Sequence, residues 1–166
     1  MRHLRVHAVN EKQLRITGLD TVLCDCLQLL PDILEQRDAS AAHHRLFPDP
    51  VPGDIATNDD WHRLIGPELR HLFVAAGETV ARDLTALQPD PKNETQWQLT
   101  FPAEHLAAWL SALNQARLIL GELHQVTEDD MNSADLDLRR PKDLALFQIH
   151  ILGFLLQQLV EFQSGN

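Results

Sequence analysis

The chain has 166 residues, of which 44% are hydrophobic and 23% are charged, and these values are typical of globular proteins. They exclude a disordered or fibrous protein, and the length predicts one domain over residues 1–166 with a single hydrophobic core. The formal net charge of -10 repels the phosphates of nucleic acids, so we expect no nucleic-acid binding.

In the N-terminal segment apolar and polar residues first alternate, and the spacing of apolar residues then becomes that of a helix. Apolar side chains recur at every second position in residues 4–8 and 14–16, which predicts a small β-hairpin. From residue 19 to 36 the spacing is that of a helix. Pro31 lies within that helix, so we expect it to kink or split there.

Two further helices are predicted after a proline-rich connection. Residues 38–57 contain Pro48, Pro50 and Pro52 and predict a surface segment with one helical turn around the adjacent histidines 43 and 44. Asn58 is expected to cap a short helix that ends near residue 65. Pro67 then begins a longer helix to about residue 87, and the loop 88–94 follows it.

The C-terminal half adds an alternating segment and two long helices. Residues 96–101 alternate and could add a third strand, Pro102 begins a helix to about residue 124, and Pro141 begins the last helix. The apolar stretch 144–162 is interrupted by polar residues, which predicts a buried helix and no membrane span. The expected fold is mainly α, a compact helical domain with a small N-terminal β-hairpin, either alone or extended to three strands.

Signatures of catalysis and of metal binding are missing from the sequence. The nine histidines show no zinc spacing, and the glycines form no phosphate loop. The acidic run after Thr127 does not fit a calcium loop, whereas Thr127 and Asp130 fit a helix capping box. Cys24 is interpreted as a small buried hydrophobic residue in a reducing cytoplasm. We therefore expect no catalytic residue, no cofactor and no metal.

Arg117 stands out because it lies on the apolar face of its helix, between Leu113 and Leu120. Burying a lone guanidinium costs several kcal/mol, so a carboxylate partner is expected. Asp83 is the first candidate because it also lies on an apolar helix face. The ordered candidates are Asp83, Asp130 and Glu128. The alternative is that the side chain of Arg117 extends along the apolar surface to solvent.

The stretch WLSALNQARLILGELHQVTEDD, residues 109–130, resembles the uncharacterised bacterial family DUF2017. The shared pattern consists of Trp109, Leu113-Asn114, Arg117-Leu118, Leu120-Gly121 and Thr127 to Asp130. The resemblance implies that Asn114 and Arg117 belong to the pattern of the family. It implies no catalytic residue, because the activity of the family is unknown. Members are often encoded near the adaptor that delivers substrates to a bacterial AAA+ protease, which implies a link to regulated proteolysis.

Two functions from different classes fit these observations. The first is a non-enzymatic interaction or regulatory protein of the bacterial cytoplasm with an unknown protein partner, because no catalytic constellation is visible. The alternative is a small-molecule binder or enzyme that uses Arg117 with Asn114 and His105. A deep polar pocket that reaches Arg117 would favour the alternative, and a sealed Arg117 would favour the first. A DNA-binding regulator conflicts with the net charge.

The apolar character of the last helix is compatible with either a monomer or a homodimer. This helix is apolar on almost every side, so it is either the central helix of a monomer or part of a homodimer contact. No export signal is visible at the N-terminus, and a cytoplasmic location without membrane contact is expected.

Overall fold

A four-stranded antiparallel sheet forms one layer of the fold. The computed structural model describes residues 4–133 and 135–165. Strands β1 (Arg5–Asn10) and β2 (Gln13–Leu19) form the predicted N-terminal hairpin, which is therefore confirmed. Strands β3 (Gln88–Asp90) and β4 (Asn93–Pro102) form a second hairpin, and β2 pairs with β4. The strand order β1-β2-β4-β3 corrects the expected sheet of two or three strands.

Strand β3 lies in the segment that was predicted to be a loop. The loop was predicted because Pro89 cannot continue a helix. In the structure Pro89 lies in β3 at the edge of the sheet, where its missing N–H need not pair with a neighbouring strand. The backbone N–H of Lys92 donates to Oδ1 of Asp90 at 2.8 Å and stabilises the turn between the strands. Prolines that stop a helix are thus compatible with an edge strand.

The first four helices differ from the prediction in their boundaries. They are α1 (Thr21–Gln28), α2 (Leu30–Glu35), α3 (Ser40–Leu46) and α4 (Ile55–Leu64). Pro31 lies in the first turn of α2, so the expected split between α1 and α2 is confirmed. The histidines 43 and 44 lie in α3, whose seven residues exceed the single turn predicted there.

The prediction that Asn58 caps α4 is wrong. The N-cap is Asp54, whose Oδ1 accepts a hydrogen bond from the backbone N–H of Thr57 at 3.1 Å. The side-chain amide of Asn58 is buried and pairs with the backbone of Val51, donating at 2.8 Å and accepting at 3.0 Å. Asn58 therefore holds the proline-rich loop against α4.

The remaining helices position the candidate site. They are α5 (Gly66–Leu84), α6 (Leu106–Leu123), α7 (Glu128–Met131) and α8 (Pro141–Ser164). The capping box of Thr127 and Asp130 at the start of α7 is confirmed. A 3-10 turn over Ala103–His105 precedes α6, so α6 begins slightly later than predicted.

One cluster of buried hydrophobic side chains joins the sheet to the helices. Ile16 and Leu99 line the core face of the sheet, and Trp109 and Leu152 bring α6 and α8 into the same cluster. By length and composition α8 could cross a membrane, although core helices of soluble proteins pass the same test. Its buried face consists of Ala145, Leu146, Ile149, Ile151, Leu152, Leu155 and Leu159.

Candidate functional site

Asp83 is a buried carboxylate near the C-terminal end of α5. The indole Nε1 of Trp109 donates to its Oδ2 at 2.9 Å, and Nδ1 of His105 lies 3.0 Å from each carboxylate oxygen. Trp109 is completely buried, and its ring packs against Phe101 with a centroid separation of 5.2 Å. Asp83 therefore joins the end of α5 to the start of α6 inside the core.

The predicted ion pair between Arg117 and Asp83 is wrong. The helices α5 and α6 run antiparallel, because Gln115 contacts the carbonyl oxygen of Phe73 at 3.4 Å whereas Asp83 contacts Trp109. Arg117 lies two turns, about 12 Å, beyond Trp109 along α6. It is therefore level with the first half of α5, far from Asp83.

The other two candidate carboxylates also do not pair with Arg117. Asp130 accepts hydrogen bonds from Nζ of Lys142 at 2.6 Å and from the hydroxyl of Thr127 at 2.7 Å. Glu128 is exposed and forms no ion pair with Arg117. Within residues 4–133 and 135–165, the guanidinium of Arg117 has no hydrogen-bond or ion-pair partner.

The guanidinium of Arg117 lies against Gly153 of α8. A Cβ atom at position 153 would be 3.1 Å from Nε and 3.3 Å from Cζ of Arg117, so this contact favours glycine. Among the described residues, no group forms a hydrogen bond with the buried Nε. The two terminal nitrogens are not buried, so they keep access to solvent. The half-buried Arg117 thus forms no ion pair with a described residue, and the accessible terminal nitrogens are compatible with a side chain that extends to solvent.

Arg117 lines a cleft of about 230 Å³ between α3, α6, α7 and α8. We name it the Arg117 cleft; its polar lining residues are Arg45, Asn114, Arg117, Glu122, Thr127 and Glu128, and its apolar wall includes Met131 and Ile149. Nε of Arg45 lies 3.7 Å from Oε1 of Glu122 at the rim. Both side chains are largely exposed, so this ion pair contributes little to stability and leaves Arg45 adjustable.

The structure divides the predicted site residues into two groups. Asn114, Arg117 and Glu128 line the Arg117 cleft, whereas Asp83 and His105 belong to the buried cluster with Trp109. Asp130 lies in the capping box of α7 and adjoins the cleft through Thr127.

Sequence reasoning missed Arg45 and Gly153. A glycine inside an apolar helix is unfavourable for the helix and signals a close approach by another group, so Gly153 could have been noticed. Arg45 gives no such signal, because its helix α3 lies in the segment predicted as a surface connection. Its contribution to the cleft depends on the packing of α3 against α6.

The carboxyl group of Asp130 predicts an acid-dependent change in stability. The ammonium group of Lys142, followed by the backbone N–H and the hydroxyl of Thr127, lowers the pKa of Asp130 from 3.8 to about 2. A lowered pKa means that the charged form stabilises the fold above pH 3.8, and that this stabilisation is lost as the pH falls towards 2. In urea denaturation we expect Asp130→Asn to be less stable than the wild type at pH 6, and the difference to shrink between pH 4 and pH 2. A difference that stays constant over this range would contradict the assigned contacts.

The cysteines are buried in α1. Burial, followed by the carboxylates of Asp20 and Asp25, raises the pKa of Cys24 to about 11. The thiolate of Cys24 is therefore scarce near neutral pH, in keeping with its interpretation as a buried hydrophobic residue. In the part of the chain that the structure describes, no group of three or more His, Cys, Asp and Glu side chains is arranged to hold a metal ion.

Comparison with known proteins identifies one family. The model described as Domain of unknown function (DUF2017) matches residues 13–163, a range that contains every lining residue of the Arg117 cleft. No curated protein matches the chain, and no solved structure matches it.

Proposed function

The chain belongs to the DUF2017 family, whose activity is unassigned, and we propose that it is a non-enzymatic binding protein of the bacterial cytoplasm that holds a carboxylate of its partner in the Arg117 cleft. The observation that carries this proposal is the half-buried guanidinium of Arg117, which has no partner among the described residues. Buried arginines are normally paired, because a desolvated charge without a counter-ion is unfavourable. A carboxylate that enters the cleft supplies the missing counter-ion and can accept two parallel hydrogen bonds from the terminal nitrogens.

The other charges of the cleft favour a group with a single negative charge. Arg117 and Arg45 are balanced by Glu122 and Glu128, which also line the cleft. A doubly charged phosphate would be repelled by these glutamates and by the protein charge of -10 more strongly than a carboxylate. The exposed side-chain amide of Asn114 adds a hydrogen-bond donor at the same opening.

The size of the cleft limits the ligand. Its volume of about 230 Å³ corresponds to about eight water molecules. This volume suits a chain terminus, an acidic side chain of a partner protein, or a small free carboxylic acid. The family resemblance suggests a protein partner in regulated proteolysis, and a second copy of the chain is the alternative protein partner.

The lining of the cleft supports binding more than catalysis. Thr127 supplies the one hydroxyl among the described lining residues, and this hydroxyl donates to Asp130 within the capping box. The described lining contains no histidine, lysine or cysteine, and its carboxylates, Glu122 and Glu128, form no hydrogen bond with the hydroxyl of Thr127. An enzyme that uses Arg117 is therefore the second choice.

The proposal is tested by titrating the protein with carboxylates and following backbone amide shifts by NMR. The probes are butanoate and trialanine, each of which carries one carboxylate and is compared with its amidated form. We expect at least one acid to perturb residues of the Arg117 cleft at millimolar concentration and its amide to bind at least about tenfold more weakly. A response to trialanine supports a chain terminus as the ligand, whereas a response to butanoate alone supports a free acid or side chain. Shifts identical for acids and amides, or no shifts, would overturn the proposal.

Two matched variants separate binding from folding. Arg117→Met should weaken binding of the acid about tenfold or more while leaving the urea midpoint nearly unchanged, because Arg117 forms no ion pair with any residue that the structure describes. Gly153→Ala places a methyl group 3.1 Å from Nε and should weaken binding by displacing the guanidinium. Gly66→Ala is the control, because its Cβ would meet nothing within 4 Å and Gly66 does not line the cleft. Light scattering with and without the acid tests whether a second copy of the chain supplies the carboxylate.

A further inference from the structure

A second arginine, Arg37, is more deeply buried than Arg117, and its guanidinium also has no partner among the described residues. It lies in the 3-10 turn Gln36–Asp38 after α2, and only 8% of its surface is exposed. Its Nε is buried without a hydrogen bond. Among residues 4–133 and 135–165, no side chain or carbonyl group forms a hydrogen bond or ion pair with the guanidinium of Arg37. The guanidinium is therefore available to a ligand that can reach it.

The side chain of Arg37 lines a groove of about 220 Å³ between α2 and α5. We name it the Arg37 groove; Arg37, Glu35 and Glu78 supply its charges, and Leu34, Val74 and Ala81 supply apolar walls. At Gly77 of α5 a Cβ atom would lie 3.3 Å from Nη2 of Arg37 and 3.3 Å from Cδ1 of Leu34. The glycine thus allows the guanidinium to approach the backbone of α5, as Gly153 does for Arg117.

The charges in the groove are separated by depth. Arg37 is buried, whereas Glu35 and Glu78 are exposed and therefore lie at the rim. Burial lowers the pKa of the Arg37 guanidinium, and the carboxylates of Asp38, Glu35 and Glu78 oppose that effect, while Arg70 reinforces it. Asp38 is bound to Arg70, so it is engaged outside the groove. No ion pair of either rim glutamate is found among the described residues.

We propose that the Arg37 groove binds a free α-amino acid with a small aliphatic side chain, with its carboxylate on Arg37 and its ammonium group between Glu35 and Glu78. A simple anion is attracted by Arg37 but repelled by the two rim carboxylates. A simple cation is attracted by the rim carboxylates but repelled by Arg37. A zwitterion satisfies the buried positive charge and the exposed negative charges together. The apolar walls fit an aliphatic side chain, and the volume has room for about seven waters, which excludes a nucleotide. This second site goes beyond the proposed function and does not depend on it.

Calorimetric titration of the full-length Arg117→Met variant with L-valine tests the inference against two analogues, because this variant removes the proposed carboxylate site of the Arg117 cleft. Isobutylamine lacks the carboxylate, and 3-methylbutanoate lacks the ammonium group. We expect valine to bind and each analogue to bind at least about tenfold more weakly, because each leaves one set of charges in the groove unpaired. The absence of valine binding at millimolar concentration, or equal binding of valine and 3-methylbutanoate, would overturn the proposal.

Substitutions at the exposed rim give a second test that does not endanger folding. In the double variant Glu35→Gln and Glu78→Gln, valine should bind at least about tenfold more weakly, while 3-methylbutanoate should bind more tightly because its repulsion is removed. Glu68→Gln is the matched control, because Glu68 is an exposed glutamate of α5 outside the groove. These titrations also use the Arg117→Met background, so that carboxylate binding in the Arg117 cleft does not contribute to the measured affinities. An unchanged ratio of valine to 3-methylbutanoate affinity in the rim variant would refute the assignment.

Discussion

Replacing Asp83 by leucine is expected to lower the free energy of unfolding by about 3 kcal/mol, because the buried indole N–H of Trp109 and the partly exposed ring of His105 lose their partner. Nε1 of Trp109 lies 2.9 Å from Oδ2 of Asp83 in a completely buried position, and water cannot replace the carboxylate there without opening the core. His105 loses its contact with the same carboxylate. Urea denaturation followed by tryptophan fluorescence measures the change.

Asp83→Asn is the matched control for this prediction. The amide oxygen can still accept from Trp109, and the amide group can still pair with His105, so we expect a loss of about 1 kcal/mol. Adding Trp109→Phe to Asp83→Leu removes the stranded indole N–H and should cost less than the sum of the two single changes. Equal losses for Asp83→Asn and Asp83→Leu would show that the hydrogen bonds of Asp83 are not what stabilises this junction.

Replacing Leu152 of α8 by alanine is expected to lower the free energy of unfolding by about 3 kcal/mol. Leu152 is 1% exposed and belongs to the core cluster that joins α8 to α6 and the sheet. Truncation removes buried apolar contacts and leaves a cavity that the surrounding helices fill only in part. Urea denaturation again provides the measurement.

Val160 supplies the comparison on the same helix. It is 45% exposed, so Val160→Ala should change stability by about 0.5 kcal/mol or less if the chain is a monomer. Light scattering of both variants tests the proposed homodimer. A dimer that dissociates in Val160→Ala would identify the exposed side of α8 as its contact, whereas equal destabilisation by the two substitutions would contradict the burial of α8 described above.

Local sequence patterns were sufficient for most of the secondary structure. The alternation in residues 4–16 identified the first hairpin, Pro31 marked the boundary of α2, and Thr127 with Asp130 identified the cap of α7. Each of these features depends on residues a few positions apart, so their chemistry can be read along the chain. The same reasoning failed at Asn58, because its buried amide pairs with a loop that precedes α4.

The sequence is sufficient to identify Arg117 and Asp83 as unusual, since each charge interrupts an apolar helix face. Their surroundings depend on the tertiary structure. The antiparallel register of α5 and α6 brings Asp83 to Trp109 and His105 and leaves Arg117 two turns away, against Gly153. Helical periodicity defines which side of a helix a residue occupies, but it contains no information on how far one helix is shifted along another. That shift is set by the packing of the whole core. In place of the expected internal ion pair, the guanidinium of Arg117 lines a cleft and has no partner within residues 4–133 and 135–165.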